Sequence, residues 1–540
     1  MNRHLKVAVA SIAIAGTAAS VVAAENDWPS YNRTLNSDRY SSLAQINAGN
    51  VSNLKVLCTY DTGEHGSFQT GILMTNGALI GTTEKDTFSI NPSTCKENWR
   101  VHEDYTTVNP LKVNRGAAYL EGRIFRGTQD GRVIAYDFKS GKRLWSTTIG
   151  DATKLNESVP AAPIAWNGMV FVGQAGGDNK GVKGRMYALE ATTGKILWET
   201  YLVPKGPQDV SRGPSAPPLA LVAASWKNAP DVPISGGATW TTYSLDTESG
   251  TLYIPVGNPA PDFVNGLREG DNLFTGSMLA LDAKTGAYRN HWSLVKNDWH
   301  DWDVDTAPSI VKVKSGKKML FMAPKNGYLY GVDLSSNNIA YKVPVTRIEN
   351  ADAQFTPGKK VRVCPGAIGG AEWNGAAYDP KNNLVLTGEV EWCAAVVAQT
   401  DTEVKAVKAG DIWPGMQTNN PLNAWGEHDP ASQWAGWLYA SNAETGKWKW
   451  RLKTNFPILG GVTPTAGGIV FFGDIGGNFY AVDSATGKQL WKKELDGAAI
   501  GGGVITYEDA GSQKVAVAAG MTSPLWPVKI STEKVVIFGL

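Results

Sequence analysis

One pattern of apolar and polar positions recurs along this chain: an alternating apolar run, a short polar turn, and a second apolar run that closes on tryptophan. Its clearest copy is Tyr187-Ala188-Leu189-Glu190-Ala191-Thr192-Thr193-Gly194-Lys195-Ile196-Leu197-Trp198. Alternation with period two sends one face of each run into a core, and Gly194 can take the positive φ of a tight reversal, so the pattern predicts a β-hairpin. Further copies run from Tyr136 to Trp145, Leu279 to Trp292, Tyr439 to Trp450 and Tyr480 to Trp491, with weaker ones from Thr87 to Trp99 and Leu329 to Lys342. The closing tryptophans are 41 residues apart from Trp450 to Trp491 and 53 apart from Trp145 to Trp198, the period of a four-stranded blade with its loops. The expected fold class is therefore all-β: an eight-bladed β-propeller, with seven blades as the alternative count.

Outside the copies, residues 54–60 and 534–538 each read as a strand. Paired in one shared blade, they would close the ring and remove its free edges. The largest insertion is expected at 204–237, rich in Pro, Ser and Gly, as a loop over one face, with a second irregular stretch at 350–375. Residues 25–540 then form a single propeller domain. Residues 1–24 are expected to be a signal peptide: Arg3 and Lys6 precede an apolar run from Val7 to Val22, and Val22-Ala23-Ala24 is a small-x-small cleavage pattern. The run is shorter than the ~20 apolar residues of a spanning helix, and no Cys follows it to carry a lipid. The expectation is export to the periplasm, without a membrane span.

Charge narrows the partners. With 51 Lys and Arg against 50 Asp and Glu, no basic field is available for nucleic acid or an anionic membrane. The 59 glycines and 20 tryptophans suit many tight turns and many strands pinned between sheets. Four cysteines fit an oxidising compartment. Their positions suggest local pairing, Cys58 with Cys95 across the first blade and Cys364 with Cys393 around a Gly-rich segment. The absence of any Cys-x-x-Cys argues against thiolate zinc and covalent haem.

A propeller implies no chemistry by itself, so the loops outside the hairpins carry the question. Asp178 lies in Gly176-Gly177-Asp178-Asn179, just after an apolar strand; Asn258 lies in Gly257-Asn258-Pro259, again after a strand; and Asp298, Asp301, Asp303 and Asp305 put four carboxylates within eight residues. If these loops occupy equivalent places in successive blades, they crowd one rim with the oxygen ligands a hard cation such as Ca²⁺ requires.

These residues resemble the pyrroloquinoline-quinone (PQQ) dependent dehydrogenases, relatives of methanol, ethanol and membrane glucose dehydrogenases. The likeness spans nearly all of the chain after residue 25. The hairpin resembles that family's tryptophan-docking motif, in which indoles link neighbouring blades. Gly236-Gly237-Ala238-Thr239-Trp240 is similar to the segment whose Trp lies beneath the cofactor, and indole offers a planar quinone the largest flat face. Asn114-Arg115-Gly116 matches the segment whose Arg pairs with a cofactor carboxylate, a bidentate role closed to Lys. Ala323-Pro324-Lys325-Asn326-Gly327 matches the segment that sets a cation beside the quinone oxygens. Phe68-Gln69 stands where a Glu or Gln touches the cofactor. The resemblance further implies Asp178, Asn258, Asp303 and Asp305 as metal ligands, Asp303 as the catalytic base, and Glu372 and Asn374 near the cofactor.

Departures from the family pattern matter. Two adjacent Cys before the Arg in the alcohol enzymes are replaced by Asn109 and Pro110, the metal carboxylate is shortened to Asp178, and Pro160 and Ala175 stand where a Thr and a Ser hold the cofactor. The implied function is a periplasmic quinoprotein dehydrogenase that oxidises an alcohol, polyol or sugar hydroxyl with PQQ and Ca²⁺ or a lanthanide. Asp303 would take the hydroxyl proton, Lys325 would stabilise charge on the reduced quinone, and a separate cytochrome c or membrane quinone would accept electrons. Two alternatives use the same scaffold: a protein-binding propeller without enzymatic activity, and a metal-dependent hydrolase.

Overall fold

A computed structural model describes residues 26–107, 109, 111–418 and 425–540; the expected signal peptide at 1–24 and Pro110 lie outside them. Among the described residues there are eight four-stranded antiparallel sheets. Innermost strands of neighbouring sheets touch, as Ala118–Leu120 does Ile164–Trp166 and Thr463–Pro464 does Val504–Asp509. The expected eight-bladed propeller is the fold. Blade 1 comprises Leu73–Thr75, Ala78–Thr82, Asp86–Ile90 and Glu97–His102, and the others follow in chain order.

Blade 8 closes the ring. It holds Val504–Asp509, Ser512–Ala519 and Lys534–Gly539, and its fourth strand is the N-terminal Lys55–Asp61. The register runs antiparallel from Lys55 opposite Gly539 to Asp61 opposite Lys534. Cys58 is bonded to Cys95, which ties this last strand to the hairpin turn of blade 1, and Cys364 is bonded to Cys393. Apolar clusters lie between neighbouring blades, and the closing seam is as apolar as the rest: Ile505, Tyr507 and Ile537 of blade 8 pack with Leu79, Phe88 and Ile90 of blade 1. Each large side chain buried there is worth ~1.5–3 kcal/mol.

The repeated hairpin explains how the blades adhere. The indole N–H groups of Trp99, Trp145, Trp198 and Trp450 donate to carbonyls of Phe138, Ala191, Ala283 and Ser484, each in the next blade. Tyr341 takes the tryptophan's place in blade 5 and donates to the Ala443 carbonyl. Turn glycines have a second duty beyond their positive φ. A Cβ on Gly487 would lie 2.4 Å from the Trp450 ring and one on Gly194 would lie 2.5 Å from the Trp145 ring, so the bare backbone of one turn is the surface on which the preceding blade's indole rests.

The order of insertions differs from expectation. Residues 392–434, between the second and third strands of blade 6, outlast 204–237. They carry the helix Asp401–Ala406, and with Val361–Val363 they supply a small sheet through Ala394–Val396 and Glu427–His428.

One buried acid sets a pH dependence of stability. Glu533, just before Lys534–Gly539, is buried, and its Oε2 has no hydrogen-bond partner. Burial, with Glu64, Asp86 and Glu84 nearby, pushes its pKa up to about 8. Between its ordinary value and about 8 the folded state binds the extra proton, so stability falls as pH rises through that window and is constant above it. Glu533→Gln is expected to raise the melting temperature at pH 9, recovering on the order of a few kcal/mol, and to change little at pH 4. Scanning calorimetry at the two pH values checks this; an equal shift at both would refute it.

Candidate active site

Three of the site residues occupy one structural position in three consecutive blades. Asp178 follows the second strand of blade 3 (Met169–Gly173), Asn258 follows that of blade 4 (Thr251–Val256), and Lys325 follows that of blade 5 (Lys318–Met322). Asp301 and Asp303 come from the connection between blades 4 and 5, Trp240 from that between blades 3 and 4, and Glu372 from that between blades 5 and 6. Arg115 lies in Val113–Gly116, which pairs in parallel with Ser67–Gly71 carrying Gln69. All of these side chains line one cavity of about 590 Å³.

Its charged end is tightly bonded. Asp303 Oδ2 is 2.8 Å from Lys325 Nζ, and Asp303 Oδ1 accepts from the Asn258 backbone N–H at 2.8 Å. A Cβ on Gly257 would lie 2.5 Å from that same Oδ1, so glycine there lets the carboxylate meet the backbone. Lys325 Nζ is also 3.4 Å from Asp301 Oδ2. Carboxylate oxygens of Asp178, Asp262 and Asp301 all lie within 4.8 Å of one another. Burial, then Asp303, pushes Asp178 up to about 6. Burial also holds Asp262 and Asp301 well above the usual carboxylate range. Burial works against the Lys325 ammonium, yet Asp301 and Asp303 hold its pKa well above the ordinary value. Glu372, buried beyond Lys325, is raised to about 8. Three carboxylates so close cannot all ionise in a dry site unless a cation is among them, and their oxygens suit a hard ion.

The other end fits a flat anion. The Arg115 guanidinium lies 4.4 Å from the Trp240 ring centroid and 5.2 Å from that of Trp373, and its Nη1 donates to the Trp240 carbonyl at 2.8 Å. Its Nε is buried without a partner, as is Gln69 Oε1. Lys325 Nζ stands 5.4 Å from the Trp240 ring. An indole face with unfilled donor and acceptor groups and two cations beside it suits a planar, carboxylate-bearing quinone.

Two of the expected residues do not line the cavity. Asp305 is buried with neither carboxylate oxygen bonded, and it does not line the cavity. The Asn374 amide donates to the Gly388 carbonyl at 3.3 Å and also lies outside the lining. Asn109, Pro160 and Ala175 do line it. Sequence reading passed over Asp262, four residues after Asn258 in the same loop, and Trp373. The lining takes nothing from 204–237, the stretch expected to be the largest insertion, but includes Asp411 and Ile412. Residues 392–434 cross from blade 6 to blade 3, where the Trp413 N–H donates to the Asp178 carbonyl at 2.6 Å and Lys180 Nζ donates to the carbonyls of Lys405 and Val407.

Comparison with known proteins agrees with this geometry. A family profile described as the glucose/ethanol/alcohol dehydrogenase β-propeller domain, PQQ, matches residues 28–353. A second profile, described as outer membrane protein assembly factor BamB, matches residues 435–537. The chain is 31% identical to the dehydrogenase subunit of alcohol dehydrogenase (quinone) of Acetobacter aceti, over 92% of this chain and 71% of that one. It is 27% identical to the lanthanide-dependent methanol dehydrogenase of Methylacidiphilum fumariolicum, over 92% and 84%. A solved europium-containing methanol dehydrogenase superposes with a TM-score of 0.83 at 25% identity, covering 96% of this chain and 98% of that one. Matched over more than half its length by the first profile, with relatives along nearly all of it, the chain belongs to the PQQ glucose/ethanol/alcohol dehydrogenase β-propeller family.

Proposed function

We propose that the protein is a periplasmic quinoprotein dehydrogenase that oxidises an alcohol, polyol or sugar hydroxyl with PQQ and a Ca²⁺ or lanthanide ion. A separate cytochrome c or membrane quinone would take the electrons. The observation that carries this reading is the convergence of Asp178, Asn258, Asp303, Lys325, Arg115 and Trp240 on one cavity. Held by Arg115, Gln69 and Trp240, a PQQ group would supply hydride-accepting chemistry, and a cation held by Asp178 and Asn258 would supply Lewis acidity.

The chain's own groups do the rest. Asp303 takes the hydroxyl proton on a carboxylate oxygen. Lys325, 2.8 Å away, pairs with that carboxylate and places an ammonium where negative charge develops. Asp178 and Asn258 offer oxygen ligands beside Asp303. Arg115 and Gln69 bring unfilled hydrogen-bonding atoms to the edge of a planar ligand, and Trp240 supplies its floor.

Purified protein given PQQ with Ca²⁺ or a lanthanide should develop the bound-quinone absorbance and reduce an electron-accepting dye when supplied with members of an alcohol and sugar panel. Absorbance without dye reduction on any substrate would favour a scaffold role. Hydrolysis of an ester or phosphate panel with metal alone would favour the hydrolase.

A further inference from the structure

Resting on that reading of the cavity, we propose that Asp262 and Asp301 are ligands of the cation, together with Asp178 and Asn258, and that the resulting site prefers a trivalent to a divalent ion. The first support is position: the carboxylate oxygens of Asp178, Asp262 and Asp301 converge within 4.8 Å, close enough to share one ion. The second is an unfilled valence. Asp262 is fully buried, its Oδ1 accepts from Asn258 Nδ2 at 3.1 Å, and its Oδ2 has no partner at all. A carboxylate oxygen left bare in a dry interior is costly unless something positive meets it. Asn258 thus links the loop after its strand to Asp262 and, through its backbone N–H, to Asp303.

The third support is charge. Asp178, Asp262, Asp301 and Asp303 face one local ammonium, Lys325, which spans Asp301 and Asp303. Two guanidiniums lie at the margins: Arg115, which acts on Glu372, Asp305 and Asp303, and Arg268, between Asp298 and Asp262 and bonded to the carbonyls of Pro261, Asp262 and Asp298. With Lys325 set against Asp303 at 2.8 Å, the three converging carboxylates Asp178, Asp262 and Asp301 call for three positive charges when they ionise around one ion. A trivalent ion supplies them and a divalent ion leaves one charge buried.

The test uses PQQ-free protein titrated with Tb³⁺, read as tryptophan-sensitised luminescence, with Ca²⁺ as competitor and melting temperature recorded alongside. Wild type should bind Tb³⁺ at least 100-fold more tightly than Ca²⁺. Asp262→Asn and Asp301→Asn should each weaken Tb³⁺ binding tenfold or more and shrink the rise in melting temperature that Tb³⁺ produces. Glu533→Gln, a buried carboxylate away from the cavity, should bind as wild type does. Wild-type affinity in both asparagine variants, or displacement of Tb³⁺ by equimolar Ca²⁺, would overturn the assignment. Because no quinone or substrate is present, this result is independent of whether the loaded protein reduces dye.

Discussion

Replacing Asp303 with asparagine is expected to lower turnover ~10²-fold or more, the usual worth of a general base, while quinone loading stays close to wild type. The substitution preserves one of the two contacts that seat the side chain, since an amide oxygen still accepts from the Asn258 N–H. What it removes is the charge facing Lys325 at 2.8 Å and the lone pair that would receive the substrate proton. Lys325 keeps Asp301 at 3.4 Å as its counter-charge, so the ammonium is not stranded and the site should not collapse. Steady-state dye reduction, normalised to quinone content by absorbance, measures the loss. Near-normal turnover in a fully loaded variant would remove Asp303 from the role of base.

Arg115→Ala should act on binding instead. The guanidinium is buried against Trp240 and Trp373, and burial lowers its pKa only to about 10, so it is charged at neutral pH. Removing one partner of a buried charge pair costs about 2–5 kcal/mol, so PQQ affinity should fall between roughly 30-fold and several thousand-fold. Arg115→Lys should not restore it, because an ammonium can neither lie flat on an indole nor grip a carboxylate with two parallel bonds. Titrating PQQ into both variants at fixed metal and following tryptophan quenching reads the affinities directly. Equal affinity for wild type and Arg115→Ala would place the cofactor's anionic edge elsewhere.

How much of this was legible in the sequence depends on how periodic each part is. The blades were legible because a two-residue alternation, a turn glycine and an indole recur with the same order, and because residues 54–60 and 534–538 had no other way to lose their edges. The pairings of Cys58 with Cys95 and of Cys364 with Cys393 followed from the same map. Residues 392–434 escaped because a segment folded around its own small sheet and one short helix repeats nothing. Among the site residues, Asp178 and Asn258 were picked out because each follows an apolar strand, and Lys325 because its segment resembles a family motif. Asp305 and Asn374 show the limit. Residues two apart share a face only in an extended strand, and neither 303–305 nor 372–374 is one, so Asp303 and Glu372 reach the cavity while Asp305 and Asn374 do not. Asp301 stood in the acidic run but had no motif to distinguish it, and Asp262 lay behind a proline-rich turn whose course the sequence did not reveal.

Because the fourth strand of blade 8 is Lys55–Asp61 and its partner is Lys534–Gly539, the seam is sealed by a segment made early in translation and one made only after the other seven blades. Groups that must cooperate across the cavity come from widely separated parts of the chain: Gln69 and Arg115 from near its start, Asp303 and Lys325 from its middle, Trp526 from near its end. Partial chains emerging from the ribosome therefore cannot assemble a working pocket, and maturation should behave as a single late event.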